Sequence, residues 1–162
     1  MQINNLQKAQ SAAFTGHRFI PYSKYPALKT SLRQIIKSLY AQGIHTFYCG
    51  MAVGFDILAA ETVLSLKTEL QELSLIAVIP YRNQSEKWST ANRSKYNAIL
   101  RNADRTVLLS EHYYQGCLLR RNDYMLSQSC CIIAYFDGNN EGGTFYTCKK
   151  ATESNLPITN IY

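Results

Sequence analysis

Hydrophobic positions along this chain alternate between two rhythms. Continuous apolar runs recur at "SAAFTG" (11–16), "IHTFYCG" (44–50), "LSLIAVIP" (73–80), "RTVLLS" (105–110) and "CCIIAYF" (130–136). Strands that are apolar throughout bury both faces, as in a parallel sheet. Between the runs the period lengthens to that of a helix. From Pro26, Leu28, Leu32, Ile35, Ile36 and Leu39 form one stripe that stops at Gly43. A second helix is predicted from about Gly54 to Leu70, apolar on several sides through Ile57, Leu58, Ala60, Val63, Leu64 and Leu66. A polar segment holding Trp88 leads into a helix ending near Asn102. Further helices are expected through Arg121 to Gln128 and over "TFYTCKKATESN" (144–155), and "PITNIY" (157–162) closes the chain as a strand.

Strand and helix in regular alternation predict an α/β domain. The expected fold is Rossmann-like and doubly wound, a mainly parallel sheet of about six strands with helices on both faces. Residues 1–162 form a single domain in this reading, since no repeat, low-complexity tract or linker interrupts them. In such folds ligands bind outside the carboxyl ends of the strands, so the strand-to-helix loops carry the interest. They read "TGHR", "CGMAVGFD", "IPYRNQSEKW", "SEHYYQGCLLRRN" and "DGNNEGGT", whereas the helix-to-strand loops "AQGI", "NAD" and "ESNLP" hold nothing comparable.

Composition narrows the partners. The 162 residues are 46% hydrophobic and 17% charged, with a formal net charge of +6. That charge suits a small anionic ligand or nucleic acid, although the basic residues are scattered. Five cysteines without a Cys-x-x-Cys pair, and three histidines without ligand spacing, predict buried free thiols and no metal site. The opening "MQINNLQKAQ" lacks the apolar core of a signal peptide, and the apolar runs are too short to span a bilayer. A cytoplasmic protein with no membrane contact is expected.

Familiar nucleotide signatures are missing. A dinucleotide fold needs Gly-x-Gly-x-x-Gly after its first strand, and here that turn is Gly16-His17-Arg18. No Gly-Lys-Ser/Thr of a P-loop and no Gly-x-Ser-x-Gly of a serine hydrolase occurs. The loops taken together are a different matter. "FTGHR", "CGMAVGFD", "IPY" with Gln84 and Trp88, "RRNDYML" and "DGNNEGGT" occur in an order that resembles the YpsA-like branch of the SLOG superfamily. The resemblance covers almost the whole chain. It implies a Rossmann-like domain that binds a nucleotide or nucleotide-derived ligand, related to DNA-processing protein A and to the cytokinin-activating phosphoribohydrolases. It marks Thr15, Gly16, His17 and Arg18 in the first loop, and Gly50, Gly54 and Asp56 in the second. Arg121 and Asn122 are marked in the fourth, and Gly142, Gly143 and Thr144 in the last. The phosphoribohydrolases carry Pro-Gly-Gly-x-Gly-Thr followed by acidic residues. Here the stretch is "EGGTFYT", without the proline, the third glycine or the following carboxylate.

Each marked residue also has a physical reading. Gly142-Gly143-Thr144 opens a helix whose free N–H groups and Thr144 hydroxyl suit a phosphate. Arg18 offers a planar fork to a phosphate or carboxylate, and His17 suits loop packing better than proton transfer. Asp56 either caps its own helix or accepts from ribose hydroxyls. Trp88 either stacks on a base or packs in the core, and Tyr113 and Tyr114 suit a wall or lid. Gly50 and Gly54 are expected to let backbone approach the ligand, with a glycine at 54 that a methyl group would turn against binding more than against folding.

The expected function is binding of a nucleotide-like small molecule at the carboxyl edge of the sheet, as a sensor or regulatory domain without a cofactor. One alternative is an N-glycosidic hydrolase of nucleoside monophosphates, with Asp56, Asp137 or Glu141 as its carboxylate. Another is a nucleic-acid binder, supported by the net charge. Self-association of the chain is compatible with any of these readings.

Overall fold

The central strands carry apolar side chains on both faces of the sheet, and the two faces are covered by different helices. The computed structural model describes residues 2–162. The chain runs α1 (Gln2–Ala9), β1 (Ser11–Gly16), a short 3-10 turn (Tyr22–Lys24), α2 (Tyr25–Ala41), β2 (Thr46–Cys49), α3 (Phe55–Leu66) and β3 (Ser74–Ile79). It continues through α4 (Thr90–Asn102), β4 (Arg105–Leu108), α5 (Cys117–Gln128), β5 (Cys131–Tyr135), α6 (Gly142–Glu153) and β6 (Ile158–Asn160). α1 lies in the opening segment, for which the hydrophobic pattern predicts no element. α3 stops at Leu66, short of the expected Leu70, and the next turn closes through Glu69 and Leu70 N–H groups onto the Leu66 carbonyl. The closing strand shrinks to three residues at the sheet edge.

All six strands are parallel, in the order β4-β3-β2-β1-β5-β6. Phe14, Phe47 and Leu75 point to one face, where α2, α3 and α4 bring Leu32, Ile36, Phe55, Val63 and Ile99. Ala13, Tyr48, Ile76 and Ile132 point to the other, against Met125 and Leu126 of α5 and Ala151 of α6. Period-two alternation thus sorts one strand set between two cores. α3 is buried on nearly every side, from Phe55 to Leu66, because α2 and α4 flank it on the sheet. Among the described residues no helix is long and apolar enough to cross a membrane.

The strand order has one reversal. From β1 the chain winds outward through β2, β3 and β4, then returns to place β5 on the free side of β1. The loops after β1 and β5 therefore diverge at their carboxyl ends and leave a crevice between them.

Candidate functional site

The crevice is real and has a volume of about 420 Å³. β1 supplies Thr15 and Gly16 to its floor, and the following loop supplies His17 and Arg18. Ala52 and Asp56 come from the second loop and the first turn of α3, and Gly143 and Thr144 from the start of α6. One face of α5 forms the remaining wall through Leu118, Arg121, Asn122 and Met125, spaced as a helix requires.

The three glycines of the first two loops are explained by neighbours within the protein. A Cβ on Gly16 would lie 2.4 Å from the Phe55 ring. One on Gly50 would lie 2.7 Å from the Arg121 guanidinium. One on Gly54 would lie 2.1 Å from the Arg18 carbonyl oxygen, and Gly54 has φ of +86°. The expectation that Gly54 is small for a ligand is therefore corrected: its left-handed backbone and the Arg18 main chain both require glycine. The Phe55 N–H donates to the His17 carbonyl at 3.1 Å, so the first two loops are joined backbone to backbone.

Arg121 lines the crevice from α5. Its guanidinium is buried, with Nε donating to Asn122 Oδ1 at 2.8 Å and Nη1 donating to the Gly50 carbonyl. Among the described residues it has no carboxylate within 4.0 Å. Burial lowers its pKa from the ordinary value, with Asp56 opposing that shift, and a guanidinium stays charged throughout. Asp56 is buried too, and its Oδ2 accepts the Ala52 N–H at 3.1 Å, closing the loop over its own helix. Desolvation pushes the Asp56 carboxyl up to about 6, against the pull of Arg121, the Ala52 N–H and Arg18. Arg18 is exposed and makes no ion pair among the described residues. Two arginines and one weakened carboxylate make the crevice electropositive.

The α6 end adds neutral donors. Its N-cap, Glu141, makes no side-chain capping bond, so the first-turn N–H groups remain free. The Thr144 side chain is buried and is engaged in no hydrogen bond among the described residues, unlike Thr147, whose hydroxyl donates to the Gly143 carbonyl at 2.8 Å. Asn122 Nδ2 faces the same turn, 3.6 Å from where a Gly143 Cβ would stand. Gly142 adopts φ of +84° and turns the chain into the helix from outside the crevice.

Not every expected residue joins this cluster. Trp88 packs perpendicular to Tyr96 with ring centroids 5.2 Å apart, against the core and away from the crevice; of its two readings, the structure takes packing. Glu141 is exposed outside the lining. His17 Nε2 sits 2.9 Å from Asp137 Oδ1 and 3.0 Å from the Asp137 N–H, tying the β1 and β5 loops together. The Asp137 carboxyl lies below the usual range because the Asn139 N–H donates to it, with His17 adding to the effect. Arg120 turns away to the Tyr114 hydroxyl and the Leu109 carbonyl. Gln84 supports the second loop from behind, its Nε2 donating to the Met51 carbonyl at 2.7 Å. The sequence reading missed Leu118, Leu119 and Met125 as lining, although the spacing of 118, 121, 122 and 125 on one helix points to a shared face.

Comparison with known proteins identifies the family and the fold. A family model described as the YspA SLOG family matches residues 21–160, starting just after the first loop. The chain belongs to this YpsA family. Among relatives, a UPF0398 protein of Brevibacillus brevis is 30% identical over 140 residues, covering 83% of this chain and 74% of that one. A UPF0398 protein of Halalkalibacterium halodurans is 29% identical over 137 residues, covering 83% and 70%. Among solved structures, DNA processing protein A from Helicobacter pylori matches with a TM-score of 0.64 and 21% identity. That match covers 94% of this chain, which spans 65% of the length of the neighbour. The YpsA-family member thus shares its Rossmann-like fold with a SLOG protein of larger size.

Proposed function

We propose that this YpsA-family domain binds a phosphorylated, nucleotide-type small molecule in the crevice between β1, β5, α5 and α6, as a sensor or regulatory module. The observation that carries the reading is Arg121, a buried guanidinium with no carboxylate at contact distance among the described residues, beside the uncapped start of α6. A buried charge without a counter-ion is costly, and an anionic ligand offsets that cost. In this reading the Gly143 and Thr144 N–H groups, the Thr144 hydroxyl and Asn122 Nδ2 donate to phosphate oxygens. Arg121 supplies the nearby fixed charge. Arg18 closes over the phosphate from the solvent side, and Asp56 accepts from sugar hydroxyls.

Calorimetric titration with AMP tests this. Arg18→Ala removes an exposed side chain that makes no ion pair among the described residues, so the fold stays intact while affinity falls by about 1.5–3 kcal/mol, the worth of a hydrogen bond to a charged group. Wild-type protein that takes up no nucleoside monophosphate overturns the reading.

A second reading is favoured by the rim. The structural neighbour from Helicobacter pylori has a single-stranded DNA binding mode. Here Arg18 is followed by Phe19, 79% exposed, and Tyr22 stands out 92% exposed on the same segment. Exposed aromatics interleaved with cations suit stacked bases and a phosphate chain. Such binding weakens steeply as salt rises, and Phe19→Ala weakens it while leaving AMP uptake unchanged. The hydrolase alternative rests on Asp56, the one carboxylate that lines the crevice among the described residues. Release of free base from a nucleoside monophosphate supports that alternative.

A further inference from the structure

Two chemically different ends share the crevice. The α6 end is polar, through Asn122, Gly143 and Thr144, with Arg121 behind them. The other end, where the β4–α5 loop meets the first turn of α5, is apolar: Tyr113, Gly116, Leu118 and Leu119 line it without a charged group among them. Along α5, Leu118 precedes Asn122 by one turn, about 6 Å of helix axis. That separation leaves room for a sugar between a phosphate and a planar group.

Tyr113 is placed unusually for a loop aromatic. The residue is 63% exposed yet lines the crevice, and its ring stands perpendicular to Tyr81 with centroids 5.4 Å apart. Its loop is held further by Arg82 of the β3–α4 loop, which donates to both oxygens of Glu111 at 2.6 and 2.7 Å. The Arg120 guanidinium fixes the loop's other side through the Tyr114 hydroxyl and the Leu109 carbonyl. Side-chain contacts thus flank Tyr113 on both sides of its loop, and the edge-on contact with Tyr81 orients the ring while leaving most of its surface open. An aromatic that is braced but uncovered is preorganised for another flat ring.

We infer that Tyr113 is the specificity-determining residue of the crevice, stacking on the nucleobase of a mononucleotide whose phosphate lies at the start of α6. This rests on the phosphate-binding reading above and adds the ligand's orientation and its requirement for an aromatic base. Leu118 and Leu119 pack against the same base, and Gly116, with open space around it, leaves the entrance clear.

Three probes separate the base from the phosphate: AMP, ribose phosphate and inorganic phosphate, titrated into wild type, Tyr113→Ala and Tyr113→Phe. Melting curves establish that the variants fold. The expected result is an AMP affinity about tenfold or more weaker in Tyr113→Ala, the usual effect of losing one base–aromatic stack. Ribose phosphate affinity stays within about twofold, and Tyr113→Phe binds AMP like wild type, because stacking needs the ring and not the hydroxyl. Unchanged AMP binding in Tyr113→Ala overturns the inference and leaves the phosphate site standing. So does an equal loss for AMP and ribose phosphate, or a Phe variant as weak as Ala. Wild type that binds none of the three probes removes the phosphate reading itself, and this inference with it.

Discussion

Gly54 and Asp56 sit two residues apart and carry opposite lessons about what a side chain costs. At Gly54 the backbone is left-handed and the Arg18 carbonyl leaves no room for a methyl group. Gly54→Ala should therefore lower stability by roughly 2 kcal/mol or more, a melting-point drop of about 4–8 °C at this chain length. Equal melting curves for the variant and wild type would contradict that geometry. The sequence could not tell the two readings of this glycine apart, because φ and the position of Arg18 are tertiary properties. Asp56 makes the complementary prediction. Its folded pKa of about 6 lies above the unfolded value of 3.8, so the native state holds the proton longer. The protonated form carries no desolvation penalty, so the contribution of Asp56 to stability is fullest below pH of about 4 and declines until about pH 6. Asp56→Asn keeps an oxygen for the Ala52 N–H and removes the charge. The variant should gain on wild type across that window and lead by of the order of 2–3 kcal/mol at neutral pH. Parallel melts from pH 4 to 8 read the difference directly; a constant gap would place the Asp56 pKa near its ordinary value.

At the level of elements, two helix starts differ in a way that stability measurements can read. α4 begins at Ser89, whose hydroxyl accepts the Asn92 N–H at 3.3 Å. α6 begins at Glu141, which caps nothing. Ser89→Ala should cost about 1 kcal/mol, whereas Glu141→Ala should be nearly neutral. A comparable loss for both would mean that α6 is capped by its own side chain after all. The elements themselves were legible because buried parallel strands and one-sided helices leave strong periodic marks, as in "LSLIAVIP" and the stripe of α2. Boundaries were harder. α3 continues its apolar pattern to Leu70 in sequence, but the helix ends where Lys67 N–H turns back to the Leu64 carbonyl. α1 left little trace because its sequence is mostly polar.

For the molecule as a whole, the position of the crevice followed from topology before any side chain was placed. Alternating elements imply a doubly wound sheet, and a doubly wound sheet has a crevice where its order reverses. The contribution of each loop did not follow so simply. "CGMAVGFD" looked like a ligand cradle, yet Gly50 and Gly54 accommodate Arg121 and Arg18, and only Ala52 and Asp56 of that stretch reach the crevice. Arg121 was marked by its loop, but its burial could be seen only once α5 was docked. Surface pairs matter little at this scale. The Arg82–Glu111 bridge is fully exposed, so Arg82→Ala should leave the melting point within about 2 °C. A larger fall would show that the bridge supports more than the loop it joins.

Trp88, the single tryptophan of the chain, has a consequence for spectroscopy. Half-buried and perpendicular to Tyr96, it lies outside the crevice and inside the packing between α4 and the sheet. Its emission should shift to the red as the chain unfolds, when the indole enters water. Filling the crevice leaves those surroundings as they were, so the same emission should stay constant through a nucleotide titration. The protein thus carries a built-in optical reporter that follows folding and is silent to occupancy.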